Sequence, residues 1–375
     1  MAGYILKRIL QIVLILIVFQ SILFFLLQAQ PGGIEYQFIA NPDIPPEARQ
    51  VIVERLGLDR PLGEQYLNYL KNFFTGNLGV SFTLYPRPVI DVIAERAPRT
   101  VLLFLTATVV SFYTGFVLGK ILAWQRGGLL EYGVTLGGSF LYTVFTPWFA
   151  LLLIWVFAFK LGLFPVGKFL DPAIWRDAPV DANHVFHRML LTILAVSVLL
   201  LILYRLTRRP GLSLVGLMLA AGVLWAVSGL GTYALDIAHH VMLPTLSVTL
   251  VSFAGTMLLM RNSMLETIRE DYILTARAKG ISERAIRDRH AARNALLPVV
   301  TSLVLGLATV ISGGIITETI FSWPGMGLTL LNAAQQKDIP LAMGALTFVG
   351  MLALFAHLVV DILYAFLDPR IRYHG

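Results

Sequence analysis

An all-α fold that crosses a membrane many times is predicted by three features of the sequence. Of its 375 residues, 57% are apolar and 14% charged, and the mean hydropathy is +0.75; a water-soluble globule has no way to bury so much apolar surface. The apolar residues gather in runs close to the roughly 20 needed for a helix to cross a bilayer. The Lys and Arg residues gather between certain runs, as they do on the cytoplasmic side of membrane proteins.

The same features exclude other classes. A net charge of +7 suits nucleic acid, but the basic residues sit beside apolar spans and no aromatic-interleaved basic strip accompanies them, so membrane orientation explains them and no nucleic-acid partner is expected. Cysteine is absent, which removes disulfides, thiolate chemistry and Cys-ligated metals. No zinc-peptidase HExxH string or nucleophile constellation is present. The chain is expected to have no catalytic residue, no metal site and no cofactor.

Taken in order, residues 1–30 form an N-terminal anchor span. Lys7 and Arg8 precede an apolar run over 9–27, and Leu27-Gln28-Ala29-Gln30 lacks a small-x-small cleavage site, so the anchor stays attached with its N-terminus inside. Residues 31–99 break the hydropathy with several prolines and form an external loop. Helical spacing of apolar residues over 46–56 and 62–74 predicts two short amphipathic helices there.

Residues 100–160 carry spans two and three, over 100–123 and 134–159. Gly115, Gly119 and Lys120 superficially suggest a phosphate loop, but the spacing is one residue short and Ile121 stands where Ser or Thr would hold Mg²⁺. Packing through small residues, with Lys120 near an interface, is the expectation. Residues 161–240 hold an external loop over 165–188 and an inserted transmembrane hairpin over 189–204 and 212–230. Its tip, Arg205 to Gly211, is rich in arginine and therefore cytoplasmic.

Residues 241–375 hold a span over 241–260, a charged loop over 261–298, and spans over 295–317 and 341–367. The total is about eight spans with both termini cytoplasmic. Within the charged loop, Tyr272 to Lys279 has no helix breaker, Gly280 is suited to end that helix in the left-handed conformation, and Ser282 before Glu283 starts another. Small Ala residues beside a glycine corner suit a docking element; composition alone equally suits a loop kept wet by its charges.

His239 and His240 precede Met242-Leu243-Pro244 and suit interfacial anchoring better than metal binding, because adjacent side chains diverge and only Asp236 is near. Glu318 is placed either to contact substrate or to cap the turn towards Trp323-Pro324-Gly325, and Asp361 pairs with groups near its helix end.

Residues 271–280, DYILTARAKG, followed by 289–298, RHAARNALLP, resemble the ATPase-coupling loop of permease subunits in ABC importers, and those of the dipeptide/oligopeptide transport family above all. Leu274, Thr275 and Ala276 stand at the superfamily's EAA positions, so only the last Ala is kept, and the spacing from Gly280 to Pro298 is long; both departures match the peptide subfamily's version. The opening YILKRILQIVLIL, the strings over 56–62, 65–67, 76–81 and 88–90, and Gly313-Gly314, Glu318, Phe321, Trp323-Pro324-Gly325, Asp338-Ile339-Pro340 and Asp368-Pro369-Arg370-Ile371 resemble that family too. The resemblance covers about 1–160 and 239–375 and leaves the hairpin aside.

The resemblance implies a six-span core plus the hairpin, import of dipeptides or oligopeptides by alternating access, and a location in the inner (cytoplasmic) membrane. It implies as partners a second permease subunit, two cytoplasmic ATPase subunits and an external substrate-binding protein, besides the lipid bilayer. The coupling residues would be Asp271, Tyr272, Thr275, Ala276, Arg277, Ala278, Lys279, Gly280 and Ser282. Glu318 and Trp323 would be candidates for the substrate path or gate. Relatives associated with nickel or oligosaccharide keep those substrates open, and a stand-alone secondary transporter is the alternative of another class.

Overall fold

The computed structural model describes residues 2–29, 60–207, 210–310 and 314–367. The expected helix over 46–56, the arginines 208 and 209 of the hairpin tip, the string over 368–371 and the side chain of Asp361 lie outside what is described. Among the described residues all regular structure is helical, apart from one isolated bridge between Val80 and Pro88.

The helices are α1 (Ala2–Gln28), α2 (Leu62–Phe74), α3 (Val89–Trp124), α4 (Leu129–Thr143), and α5 (Thr146–Leu153) with a π-helical continuation over Ile154–Lys160. They continue with α6 (Pro172–Trp175), α7 (Ala182–Thr207), α8 (Pro210–Val227), α9 (Gly231–Thr267), α10 (Asp271–Ala278) and α11 (Glu283–Ala285). A second π-helical stretch, Ile286–Ala291, leads into α12 (Ala292–Val310), and α13 (Ile315–Ile320), α14 (Met326–Gln335) and α15 (Ile339–Leu367) complete the order.

Among the described residues five helices are long and apolar enough to cross a membrane: Leu6–Gln28, Val89–Trp124, Ala182–Leu203, Gly231–Thr267 and Ile339–Val359; a sixth is added if α4 is counted as one span with α5 and its continuation. Ser213–Val227 is a shorter apolar helix, and α12 occupies the first part of the span expected over 295–317. Many large apolar side chains are exposed on α1, α7 and α8, as suits helices whose solvent is lipid.

Three boundaries differ from the hydropathy reading. The span expected over 134–159 is broken at Val144 and Phe145, both in extended conformation. Pro147 follows at the start of α5; it lacks an N–H, and within a continuous helix its ring would strike the carbonyl four residues earlier, at Thr143. Helix α7 begins seven residues before the expected Met189, because Asp181 accepts from the Asn183 N–H at 2.9 Å and caps it. Helix α9 runs past Met260 to Thr267, so the charged loop is shorter than its composition suggests.

The described chain divides into two compact units, one of residues 1–144, 249–316 and 325–375 and the other of 145–248 and 317–324. In the first, α3 packs against α12, α14 and α15. A Cβ on Gly115 would lie 2.7 Å from the Phe253 carbonyl oxygen, and one on Gly119 would lie 2.5 Å from that of Met257. The two glycines therefore bring the backbones of α3 and α9 into contact.

Also in the first unit, α1 is tied to α15 by Gln20, whose Nε2 donates to Thr347 Oγ1 at 3.0 Å. The expected helix over 62–74 is α2, and Tyr66 and Tyr69 meet Phe24 of α1 with ring centroids 5.5 Å apart. The buried carboxylate of Asp338 accepts from Ser81 Oγ, from Thr83 N–H at 3.0 Å and from Thr83 Oγ1 at 2.7 Å. Two of the family-like strings, over 76–81 and 338–340, thus meet in one clasp.

In the second unit, Trp323 lies edge-on to Phe169 at 5.4 Å, and Phe169 to Phe186 at 5.6 Å. Asp236 accepts from Trp175 Nε1 at 2.8 Å and from the Asp171 N–H at 3.1 Å, and fixes the loop that contains α6 to α9.

Candidate functional site

Helix α10 is short because its sequence allows no more. The Lys279 N–H donates to Thr275 O at 3.1 Å, the Gly280 N–H to Arg277 O at 2.9 Å and the Ile281 N–H to Ala276 O at 3.3 Å. The last two bonds are the 5→2 and 6→1 pair of a Schellman motif, which requires a left-handed residue at the corner. Gly280 has φ +71°, as expected.

Ile273 and Ala276 lie three residues apart, on one face of the helix. Both are buried in a cluster with Met260 and Met264 of α9, Ala123 of α3, and Ile286, Ala291, Ala292, Ala295 and Val299. Burying Ile273 completely is worth about 1.5–3 kcal/mol, which holds α10 on its own protein. Tyr272 is fixed at its edge, since Asn294 Nδ2 donates to Tyr272 Oη at 2.8 Å.

The opposite face is open. Leu274 is 67% exposed, and Asp271, Thr275, Arg277, Ala278, Lys279, Gly280 and Ser282 are exposed around it. Ala276 is not part of this surface, being 6% exposed. Its methyl supports the helix from below. Arg277 donates from Nε to Glu283 Oε1 at 3.0 Å, and its guanidinium lies 6.0 Å from the ring of Trp124 at the end of α3.

Past the corner, α11, the second π-helical stretch and α12 follow without interruption, so the second half of the loop continues directly into α12, with Pro298 inside that helix. Pro298 removes one N–H from the ladder inside α12, and Ala295 and Val299, on either side of it, are buried in the cluster.

Two ion pairs join this region to the membrane helices. Lys120 Nζ of α3 lies 3.0 Å from Asp288 Oδ1, and Arg287 grips the same carboxylate through Nε and Nη2, each at 2.9 Å. These hydrogen bonds from Arg287 hold Asp288 well below the usual carboxylate range; partial burial opposes them and Lys120 adds to them. Beside them, Glu131 at the start of α4, 4% exposed, accepts from Arg261 Nε at 2.9 Å, from Arg261 Nη2, and from the Gly127 N–H at 2.6 Å. Neither pair was singled out from sequence.

The other candidates lie in the second unit. Glu318 and Trp323 are both fully buried, and the turn between them is closed by the Trp323 N–H donating to the Glu318 backbone carbonyl at 2.8 Å. His239 Nε2 meets Leu163 O at 2.7 Å and ties α9 to the segment before α6, while His240 Nδ1 meets Asp236 O of its own helix at 2.9 Å.

A family model described as binding-protein-dependent transport system inner membrane component matches residues 115–373, and one for the N-terminal part of such membrane components matches residues 1–104. The chain is 33% identical over 350 residues to the di/tripeptide transport system permease protein DppB of Pseudomonas aeruginosa, with 93% of each chain covered. It is 30% identical over 373 residues to the oligopeptide transport system permease protein AppB of Bacillus subtilis, with 100% of each covered. To the dipeptide transport system permease protein DppB of Escherichia coli it is 31% identical over 346 residues, 92% of this chain and 91% of that one. With its apolar helices and these end-to-end matches, the chain belongs to the family of inner-membrane components of binding-protein-dependent transport systems.

Proposed function

We propose that this chain forms half of the translocation pore of an ATP-driven importer of short peptides, and that α10 is where a cytoplasmic ATPase subunit docks. The observation that carries the proposal is the two-sidedness of α10: Ile273 and Ala276 fix it to the chain's own core, while Leu274 and a ring of polar residues face outward. An exposed leucine on a rigid helix, framed by charge, suits a partner's groove. The peptide substrate is supported by the names of the three relatives given above, a di/tripeptide, an oligopeptide and a dipeptide permease.

The complete importer would hold a second permease subunit, two ATPase subunits and an external binding protein. The chain itself would hydrolyse no ATP. ATP-driven closure of the ATPases would move α10, and the continuous helix from Glu283 into α12 would carry that movement into the membrane. The test is reconstitution in liposomes. Uptake of a radiolabelled dipeptide or tripeptide should require ATP, the ATPase subunits and the binding protein together; ATP hydrolysis by the purified chain alone would refute the assignment.

A further inference from the structure

Lys120 sits in an apolar helix, between Gly119 and Ile121, where a charge is unfavourable unless it is paired or reaches an interface. Its Nζ lies 5.3 Å from the centroid of Phe116, one turn back, and reaches Asp288 in the second half of the cytoplasmic loop at 3.0 Å. Trp124, one turn further along the same face of α3, meets Arg277 in the first half of the loop. The last turn of α3 therefore holds both arms of the loop, one on each side of the Gly280 corner.

We infer that Lys120 and Asp288 form a coupling latch: they are positioning residues through which movement of the ATPase-docking loop is delivered to α3. The inference rests on the docking role proposed for α10. Helix α3 is suited to receive the movement because Gly115 and Gly119 lock it against α9 and its other faces contact α12, α14 and α15. Without the latch, the loop moves with α12 while α3 lags, and hydrolysis proceeds without matching movement of the pore. The ion pair is partly exposed, with Lys120 at 18% and Asp288 at 41%. Such a pair adds little to stability, so removing it tests coupling without unfolding the chain.

The experiment compares wild type, Lys120→Met, Lys120→Arg and Asp288→Asn, each assembled with the ATPase and binding-protein subunits in liposomes. It reads ATP hydrolysed per peptide imported, together with the melting temperature of each complex. Lys120→Met keeps the apolar stem over Phe116 and removes the charge. It should raise the ratio by about fivefold, the low end of typical coupling energies, with an unchanged melting temperature. Asp288→Asn should raise the ratio likewise, with a fall in melting temperature of no more than a few degrees, and Lys120→Arg should restore a ratio near that of wild type. Wild-type ratios in both Lys120→Met and Asp288→Asn would overturn the latch while leaving α10 as the docking helix. In Lys120→Met, a lowered melting temperature with an unchanged ratio would also overturn it, as the sign of a structural role. Absence of ATP-driven uptake in the wild-type assembly would overturn the docking role itself, and the latch with it.

Discussion

Arg261, near the C-terminal end of α9, donates from Nε to Glu131 Oε1 of α4 across 2.9 Å, while the Gly127 N–H donates to the other carboxylate oxygen at 2.6 Å. One buried carboxylate thus fixes the turn between α3 and α4 to the helix that leads into the charged loop. A buried charge left without its partner costs far more than the intact pair contributes. Glu131→Gln should therefore lower stability by about 1–3 kcal/mol, read as a lower melting temperature in detergent. The double variant Glu131→Gln/Arg261→Met should be less destabilised than the sum of its parts. Strict additivity would show that the two side chains do not interact.

At the corner, Gly280 has φ +71° and nothing lies within 4 Å of where a Cβ would be. The cost of substitution is therefore one of backbone conformation alone. Gly280→Val should destabilise the corner by about 1–2 kcal/mol and weaken ATPase binding, whereas Gly280→Asn, which tolerates the left-handed region, should be close to wild type. Co-purification of the ATPase subunits with each variant measures this, and equal recovery with Val and Asn would contradict it.

Ala276 and Leu274 separate folding from docking. Ala276 is buried in the chain's own cluster and Leu274 is exposed, so Ala276→Asp places an unpaired carboxylate in a core and should lower the melting temperature of the chain alone. Leu274→Asp should leave that temperature within about 1–2 °C of wild type, since surface substitutions usually stay within about ±0.5 kcal/mol, yet abolish ATPase recovery. If Leu274→Asp retained full recovery, the outward face of α10 would not be the contact.

Acid should release Asp288. Its carboxyl is held well below the usual range, chiefly by hydrogen bonds from Arg287, so its contribution is complete above the unfolded value of about 3.9. It is lost as pH falls through the folded value. Between pH 5 and 8 the stability difference between wild type and Asp288→Asn should be constant. It should shrink below about pH 4, and because the group is partly exposed its size should be no more than about 1 kcal/mol. A difference that grows on acidification has the wrong sign for this account.

What the sequence disclosed was local. The glycine corner, helix α10 and helix α2 follow from residues that act on their immediate neighbours, and all three stand where expected. The broken third span was hidden because hydropathy runs unchanged across Val144 and Phe145, although Pro147 carried a signal. The outward and inward faces of α10 were legible in principle, since Ile273 and Ala276 have helical spacing, but small size alone suggested that Ala276 faced a partner. The Glu131–Arg261 pair joins residues 130 positions apart, and Lys120 reaches Asp288 from a different helix; a single sequence holds no record of which distant charges will meet.

On the proposed function, α10 meets an ATPase through the face that carries Leu274. Because the chain has no cysteine, Leu274→Cys gives a single reactive site, and Ile193→Cys, exposed on the apolar helix α7, gives a control away from α10. Membranes containing the assembled importer are treated with a short thiol-to-amine cross-linker and blotted for the ATPase subunit. The account predicts an ATPase adduct with Leu274→Cys whose yield changes on adding ATP, and none with Ile193→Cys; full uptake by Leu274→Cys without any adduct, or an equal adduct from Ile193→Cys, would contradict it.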